Sequence, residues 1–159
     1  MLSLTRKCDY ALIALSHLGR SPGKVTSARE ISETYRIPLP VLMNILKQLT
    51  REGIVASVRG ARGGYHLAIE PSELSLRRLI MLLEGPIRLV QCAARGEGRG
   101  FCNGMRWCPV QTSALRLHRK LERFLEEVSL ADIVESPTPL SLAVDEPGNG
   151  QSDGTGVPG

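Results

Sequence analysis

Apolar residues in the first third of the chain recur at helical spacing in three successive blocks. Ala11, Leu12, Leu15 and Leu18 share one face of a helix that Thr5 is placed to cap and Gly19 to stop. After a Ser21-Pro22-Gly23 turn, Ser27-Ala28-Arg29-Glu30 has the form of a capping box, with Ala28, Ile31 and Tyr35 as the buried face of a short second helix. Pro38 and Pro40 end that helix and start a third. It runs to about Glu52, with Leu42, Ile45, Leu46 and Leu49 inward and Gly53 at its C-terminus. Two short helices joined by a tight proline-bearing turn make a helix-turn-helix candidate.

The period then changes. Ile54-Val55-Ala56-Ser57-Val58 and Tyr65-His66-Leu67-Ala68 read as two strands joined by the glycine-rich hairpin Arg59-Gly60-Ala61-Arg62-Gly63-Gly64. A hairpin directly after a helix-turn-helix is the wing of a winged helix. Helical spacing returns with Leu76, Leu79, Ile80 and Leu83, capped by Ser75 and stopped by Gly85-Pro86. From Pro109 onward, Val110, Ala114, Leu117, Leu121, Phe124 and Val128 recur at alternating steps of four and three. That is the heptad seam of a helix that pairs with a second copy, although a helix packed on its own domain shows a similar stripe. Ser129-Leu130-Ala131-Asp132 caps a final short turn.

The expected fold is mainly α, a winged helix-turn-helix with a two-stranded wing and a long C-terminal dimerisation helix. Residues 1–70 form its DNA-binding domain, 71–134 hold a cysteine loop and the dimerisation helix, and 135–159, rich in Pro, Gly, Ser and acids, are expected to be a disordered tail.

Charge sharpens this picture. The 159-residue chain has a net charge of +4, and residues 1–70 carry ten Lys/Arg against five Asp/Glu, whereas the stretch from Glu135 carries four acids and no base. A basic front half favours a polyanion such as double-stranded DNA through counterion release. The exposed start of the third helix offers Pro40, Val41, Met43 and Asn44, with Lys47, Gln48 and Arg51 further along. Asn44 and Gln48 suit adenine edges, Lys47 and Arg51 suit phosphates, and Met43 is restricted to apolar contacts such as a thymine methyl. Arg59 and Arg62 are long enough to enter a minor groove from the wing, and the glycines beside them permit close backbone approach to phosphates.

No apolar stretch is long enough to cross a bilayer and none of signal length follows the basic start, so a cytoplasmic protein is expected. In a reducing cytosol, cysteines read as ligands, sensors or small buried hydrophobes rather than as staples. Cys92, Cys102 and Cys108 stand in a glycine- and arginine-rich stretch where no core can form, with nine and five residues between them. Thiols in such a place point to a metal cluster wired to the DNA reader. A zinc site and three metal-free thiols are the alternatives, zinc being disfavoured by the absence of a short spacer between any two ligands. Cys8, in the first turn of the first helix, is either a thiolate favoured by the helix dipole or a buried small residue. Trp107 is placed to shield the cysteine loop from water. His17, His66 and His118 read as structural or surface residues, with His118 on the outer side of the seam. No nucleotide, flavin or substrate motif appears, so an enzyme is not expected.

The start Leu4-Thr5-Arg6-Lys7-Cys8-Asp9-Tyr10-Ala11-Leu12, the helix from Ile37 to Leu49, the wing Val58-Arg59-Gly60-Ala61-Arg62-Gly63-Gly64-Tyr65-His66-Leu67-Ala68 and the three downstream cysteines together resemble the IscR/NsrR-type (Rrf) family of bacterial winged-helix transcription regulators. The resemblance covers about residues 1–134. It implies a homodimer on a DNA operator, more commonly a repressor, with an iron-sulfur cluster held by Cys92, Cys102 and Cys108 that responds to redox state, nitric oxide or iron. The spacing between the first two cysteines exceeds that of common relatives, which leaves 2Fe-2S and 4Fe-4S both open. Where some relatives place a histidine after the last cysteine, this chain has Gln111; where others use an acid of the partner subunit near the start of the first helix, it has Asp9. Asp9 is therefore the expected fourth ligand. The alternatives are a regulator without a cluster, or with zinc, answering thiol oxidation or a protein partner, and, in another class, an iron-sulfur redox protein.

Overall fold

The computed structural model describes residues 4–90 and 107–135. Its elements are α1 (Arg6–Gly19), α2 (Ala28–Tyr35), α3 (Leu39–Arg51), β1 (Val55–Val58), β2 (Gly64–Leu67), a 3-10 turn (Pro71–Glu73), α4 (Leu76–Glu84), α5 (Gln111–Glu127) and α6 (Leu130–Glu135). The order is that of a mainly helical winged helix-turn-helix with a two-stranded antiparallel wing. Cys92, Cys102 and the expected tail beyond Glu135 lie outside the described residues.

The helix α1 is the hub. It buries Cys8, Ala11, Ala14, Leu15, Leu18 and Gly19 and touches α2, α3, α4, α6 and β2. Small side chains at Cys8, Ala11 and Ala14 allow neighbours that close, and leucines fill the space between them. Gly19 does end the helix, but its reason is packing: a Cβ there would stand 2.8 Å from Val134 Cγ2, so the missing side chain is what lets α6 press on α1. A single hydrophobic core takes Leu42, Ile45, Leu46 and Leu49 from α3 together with Leu74, Leu79, Ile80, Leu83 and Leu130. The segment after residue 70 thus shares its core with the helix-turn-helix.

The wing pairs in antiparallel register, Val55 with Leu67, Ala56 with His66, Ser57 with Tyr65 and Val58 with Gly64. Thr26, just before α2, adds a single antiparallel bridge on the other side of β2: its N–H donates to Tyr65 O at 2.9 Å and its carbonyl accepts from Tyr65 N at 2.8 Å. Gly64 makes this possible, since a Cβ there would collide with Thr26 O, and Gly63 serves the hairpin itself, where a Cβ would collide with Val58 O. These two glycines answer to the wing's own packing, whereas Gly60, with a φ of +118°, has open space where a Cβ would stand.

At the other end, Leu76 N donates to Val128 O and Leu130 N to Leu74 O, both at 2.8 Å, which fastens the α5–α6 joint beside the start of α4. The helix α5 lies along α4, held partly by Arg77, whose guanidinium meets Glu122 at 3.4 Å and Glu126 at 3.3 Å. Its seam faces away from this contact. Val110 is 60% exposed, Leu117 58% and Phe124 45%, while Ala114, Leu121 and Val128 are half-buried. Among the described residues, little covers the Val110, Leu117 and Phe124 side of this stripe. His118 is a correction: it is buried on the inner side of α5, with Nε2 3.6 Å from Glu122 Oε2, because the heptad count places the seam without saying which flank meets α4.

Candidate nucleic-acid interface and cysteine site

The reading face is built from the turn outward. Ser27 Oγ accepts the Glu30 amide at 3.1 Å and starts α2. The chain leaves α2 through Arg36 in the left-handed region, φ +53°, a conformation that costs a non-glycine residue about 1 kcal/mol or more. Ser32 offsets this by bonding Ile37 twice: its hydroxyl donates to Ile37 O at 2.7 Å and its carbonyl accepts Ile37 N at 3.0 Å. Pro38 then caps α3. With Leu42, Ile45, Leu46 and Leu49 buried, helix geometry turns Pro40, Val41, Met43, Asn44, Lys47 and Arg51 outward, and all six are exposed. No acid occurs between Arg36 and Arg51.

Gln48 departs from expectation. It is half-buried and its Nε2 donates to Leu82 O at 2.7 Å, so this amide ties α3 to α4 and is not free to read a base. Arg36, exposed in the turn, is a cation the sequence pattern did not single out; a left-handed residue between two helices leaves no mark in apolar spacing. Arg59 and Arg62 are exposed in the loop between β1 and β2.

The described part of the cysteine site lies elsewhere. Cys108 is a free, half-buried thiol just before α5, and its neighbour Trp107 is 86% exposed, which leaves it no shielding role among the described residues. Asp9 is exposed in the first turn of α1, and its carboxylate makes no hydrogen bond or ion pair among the described residues. Cys8 beside it is fully buried; burial, and then the negative charges of Glu84 and Asp9, push its thiol up to about 11. The helix dipole loses to desolvation there, and Cys8 is a core residue. Among the described residues no three His, Cys, Asp or Glu side chains are grouped so as to hold a metal ion.

The first turn of α1 is fastened to the last turn of α4. Thr5 donates to Glu84 Oε1 through its N–H at 2.8 Å and its hydroxyl at 2.7 Å, and Lys7 Nζ donates to Leu83 O at 3.0 Å. Thr5 therefore stands at the N-cap position while its hydroxyl serves a partner outside the helix. The lysine places a positive charge on a free carbonyl at a helix C-terminus, where both hydrogen bonding and the dipole favour it. Asp9 and the point where the chain leaves α4 toward Cys92 are in this way held to one rigid joint.

An acid-free helix presented beside an arginine-bearing hairpin defines a winged helix-turn-helix regulator of transcription. A family model described as Rrf2, iron-dependent transcriptional regulator, matches residues 4–136, and the chain belongs to that family. Among solved structures it is similar to CymR of B. subtilis, described as the global cysteine regulator (27% identity, TM-score 0.68, covering 85% of this chain and 98% of that one). It is also similar to T. potens IscR (25%, TM-score 0.66, 89% and 93%) and to Staphylococcus aureus CymR (25%, TM-score 0.65, 84% and 99%). Among the described residues no helix is long and apolar enough to cross a membrane.

Proposed function

We propose that the chain is a cytoplasmic repressor that binds a two-fold symmetric DNA operator as a homodimer and senses redox state, nitric oxide or iron through an iron-sulfur cluster. Cys92, Cys102 and Cys108 would hold the cluster, with Asp9 of the partner subunit as fourth ligand. The observation that carries this reading is the joint described above: an exposed, unpaired carboxylate at Asp9, in the helical turn that Thr5 and Lys7 bind to the end of α4. The donor set fits, since three soft thiolates and one hard carboxylate satisfy iron while leaving out the protonated Cys8. When bound, such a cluster supplies an iron whose oxygen ligand exchanges more readily than its thiolates.

The remaining parts of the reading follow from this chain's own contacts. A displacement of the first turn of α1 is carried by a helix that also packs on α3, so it alters how α3 is presented. The outward stripe Val110, Leu117 and Phe124 supplies the surface for the second protomer, and dimerisation sets the spacing between two α3 helices. Pro40, Val41, Met43, Asn44, Lys47 and Arg51 face the major groove, and Arg59 and Arg62 the minor groove.

Anaerobic purification followed by absorption spectroscopy and iron, sulfide and zinc analysis tests the proposal. A brown protein whose Asp9→Ala variant loses cluster-dependent operator binding supports it; a colourless zinc protein, or an operator footprint indifferent to iron, refutes it. A second reading, a cluster-free regulator answering thiol oxidation, is favoured by the likeness to the global cysteine regulator CymR and by the free thiol of Cys108. The same metal analysis separates the two.

A further inference from the structure

Two apolar side chains on the outward face of α3 keep more than a third of their surface exposed. Val41 is 39% exposed and Met43 37%, and neither packs against the hydrophobic core. With successive residues about 100° apart around a helix, Pro40, Asn44, Lys47 and Arg51 run down the middle of the face opposite the buried leucines, and Val41 and Met43 occupy its two flanks. Pro40, Val41, Met43 and Asn44 lie in the N-terminal half of α3, where a recognition helix meets base edges. The polar reading capacity of that half is small. Gln48 is held by Leu82 O, which leaves Asn44 as the amide free to address a base.

With Lys47 and Arg51 suited to phosphates, the remaining discrimination falls to apolar contact, and the major groove offers one apolar target, the thymine 5-methyl group. We infer that Val41 and Met43 read thymine methyls, one on each side of the base pair addressed by Asn44. This rests on the placement of α3 in the major groove proposed above. A cytosine at either position lacks the methyl group and loses the contact, so the selectivity is for thymine over cytosine.

The test changes the DNA and leaves the protein intact. The full chain, purified anaerobically, selects duplexes from a random-sequence pool, and each thymine of the winning sequence is replaced singly by deoxyuridine, which removes one methyl group and nothing else. Burial of one methyl-sized group corresponds to about a fourfold change in affinity, so replacement at each of two thymines weakens binding about fourfold. In Val41→Ala the penalty vanishes at one of these thymines, and in Met43→Ala at the other. Both residues are exposed, so neither variant disturbs the core. Deoxyuridine tolerated at every position of a specifically selected duplex overturns the inference while leaving DNA reading by α3 in place, as do penalties that persist in both alanine variants. If no sequence is enriched at all, the placement of α3 falls and the inference with it.

Discussion

Replacing Gly64 by alanine tests whether the wing is held by Thr26. The new Cβ would collide with Thr26 O and lie 3.0 Å from Ser27 N, and these are backbone atoms that no rotamer can move aside. Thr26 is 2% exposed, so the strand and the start of α2 must part, breaking the hydrogen bonds of 2.9 and 2.8 Å between Thr26 and Tyr65. Each is worth about 1 kcal/mol net, and more where a buried group is left unpaired, giving about 2–4 kcal/mol. The lower unfolded-state entropy of alanine returns about 0.4–1 kcal/mol. A net loss of about 2–3 kcal/mol lowers the melting temperature by roughly 10 °C for a chain of this size. Thermal melts followed by far-UV circular dichroism, with urea titrations to confirm an unchanged slope, read this directly. Arg62→Ala is the contrast: it leaves the melt unchanged and reduces the salt dependence of DNA binding by about one ion, as expected for a cation withdrawn from the minor groove proposed above. A Gly64→Ala protein that melts within about 2 °C of its parent refutes the argument.

Other consequences are equally open to measurement. Folding raises the Cys8 thiol from 9.0 to about 11, so the unfolded chain ionises first; the stabilisation is complete below about pH 9 and is lost as pH climbs toward 11. Cys8→Ala flattens that alkaline decline in urea midpoints, and native Cys8 resists iodoacetamide at neutral pH until the protein is unfolded. Gln48→Ala leaves the Leu82 carbonyl unpaired and costs about 1 kcal/mol in chemical denaturation, yet it leaves the base preference of a selected DNA sequence unchanged, unlike Asn44→Ala. Leu117→Asp, a charge placed in the exposed stripe of α5, yields a folded monomer by sedimentation, with helical content retained.

The helices and the wing were legible because each is specified locally. Apolar spacing, the serines that open α2 and α4 and the glycine that closes α4 placed α1 to α5 to within a few residues and left α6 as a short turn, and the change from helical to alternating pattern located β1 and β2. What the sequence concealed depends on contacts distant along the chain. Gln48 has the right chemistry and nearly the right face for a base reader, and only the approach of Leu82 shows where its amide goes. Cys8 sits in a first helical turn, where the dipole would lower its pKa; desolvation and the nearby Glu84 carboxylate reverse the direction. Gly63 and Gly64 carry the same letters whether they yield to a phosphate or to a neighbouring carbonyl; the carbonyl of Val58 decides for Gly63 and that of Thr26 for Gly64.

These long-range contacts share a geometry that bears on regulation. Gln48 ties α3 to the end of α4 through Leu82 O, and one residue further Lys7 ties α1 to Leu83 O, with Thr5 reaching Glu84 beyond it. Three consecutive residues of α4 thus receive bonds from the helix proposed to read DNA and from the turn that carries Asp9. A strain entering at Asp9 has no slack segment to relax before it meets α3, because α1, α3 and the end of α4 share both this row of bonds and one close-packed core. Packed interfaces of this kind shift between discrete arrangements and do not deform gradually. The row through Leu82, Leu83 and Glu84 therefore joins α3 to the first turn of α1, and Gln48 completes it; under the function proposed above, it is a route by which a change at Asp9 would reach α3.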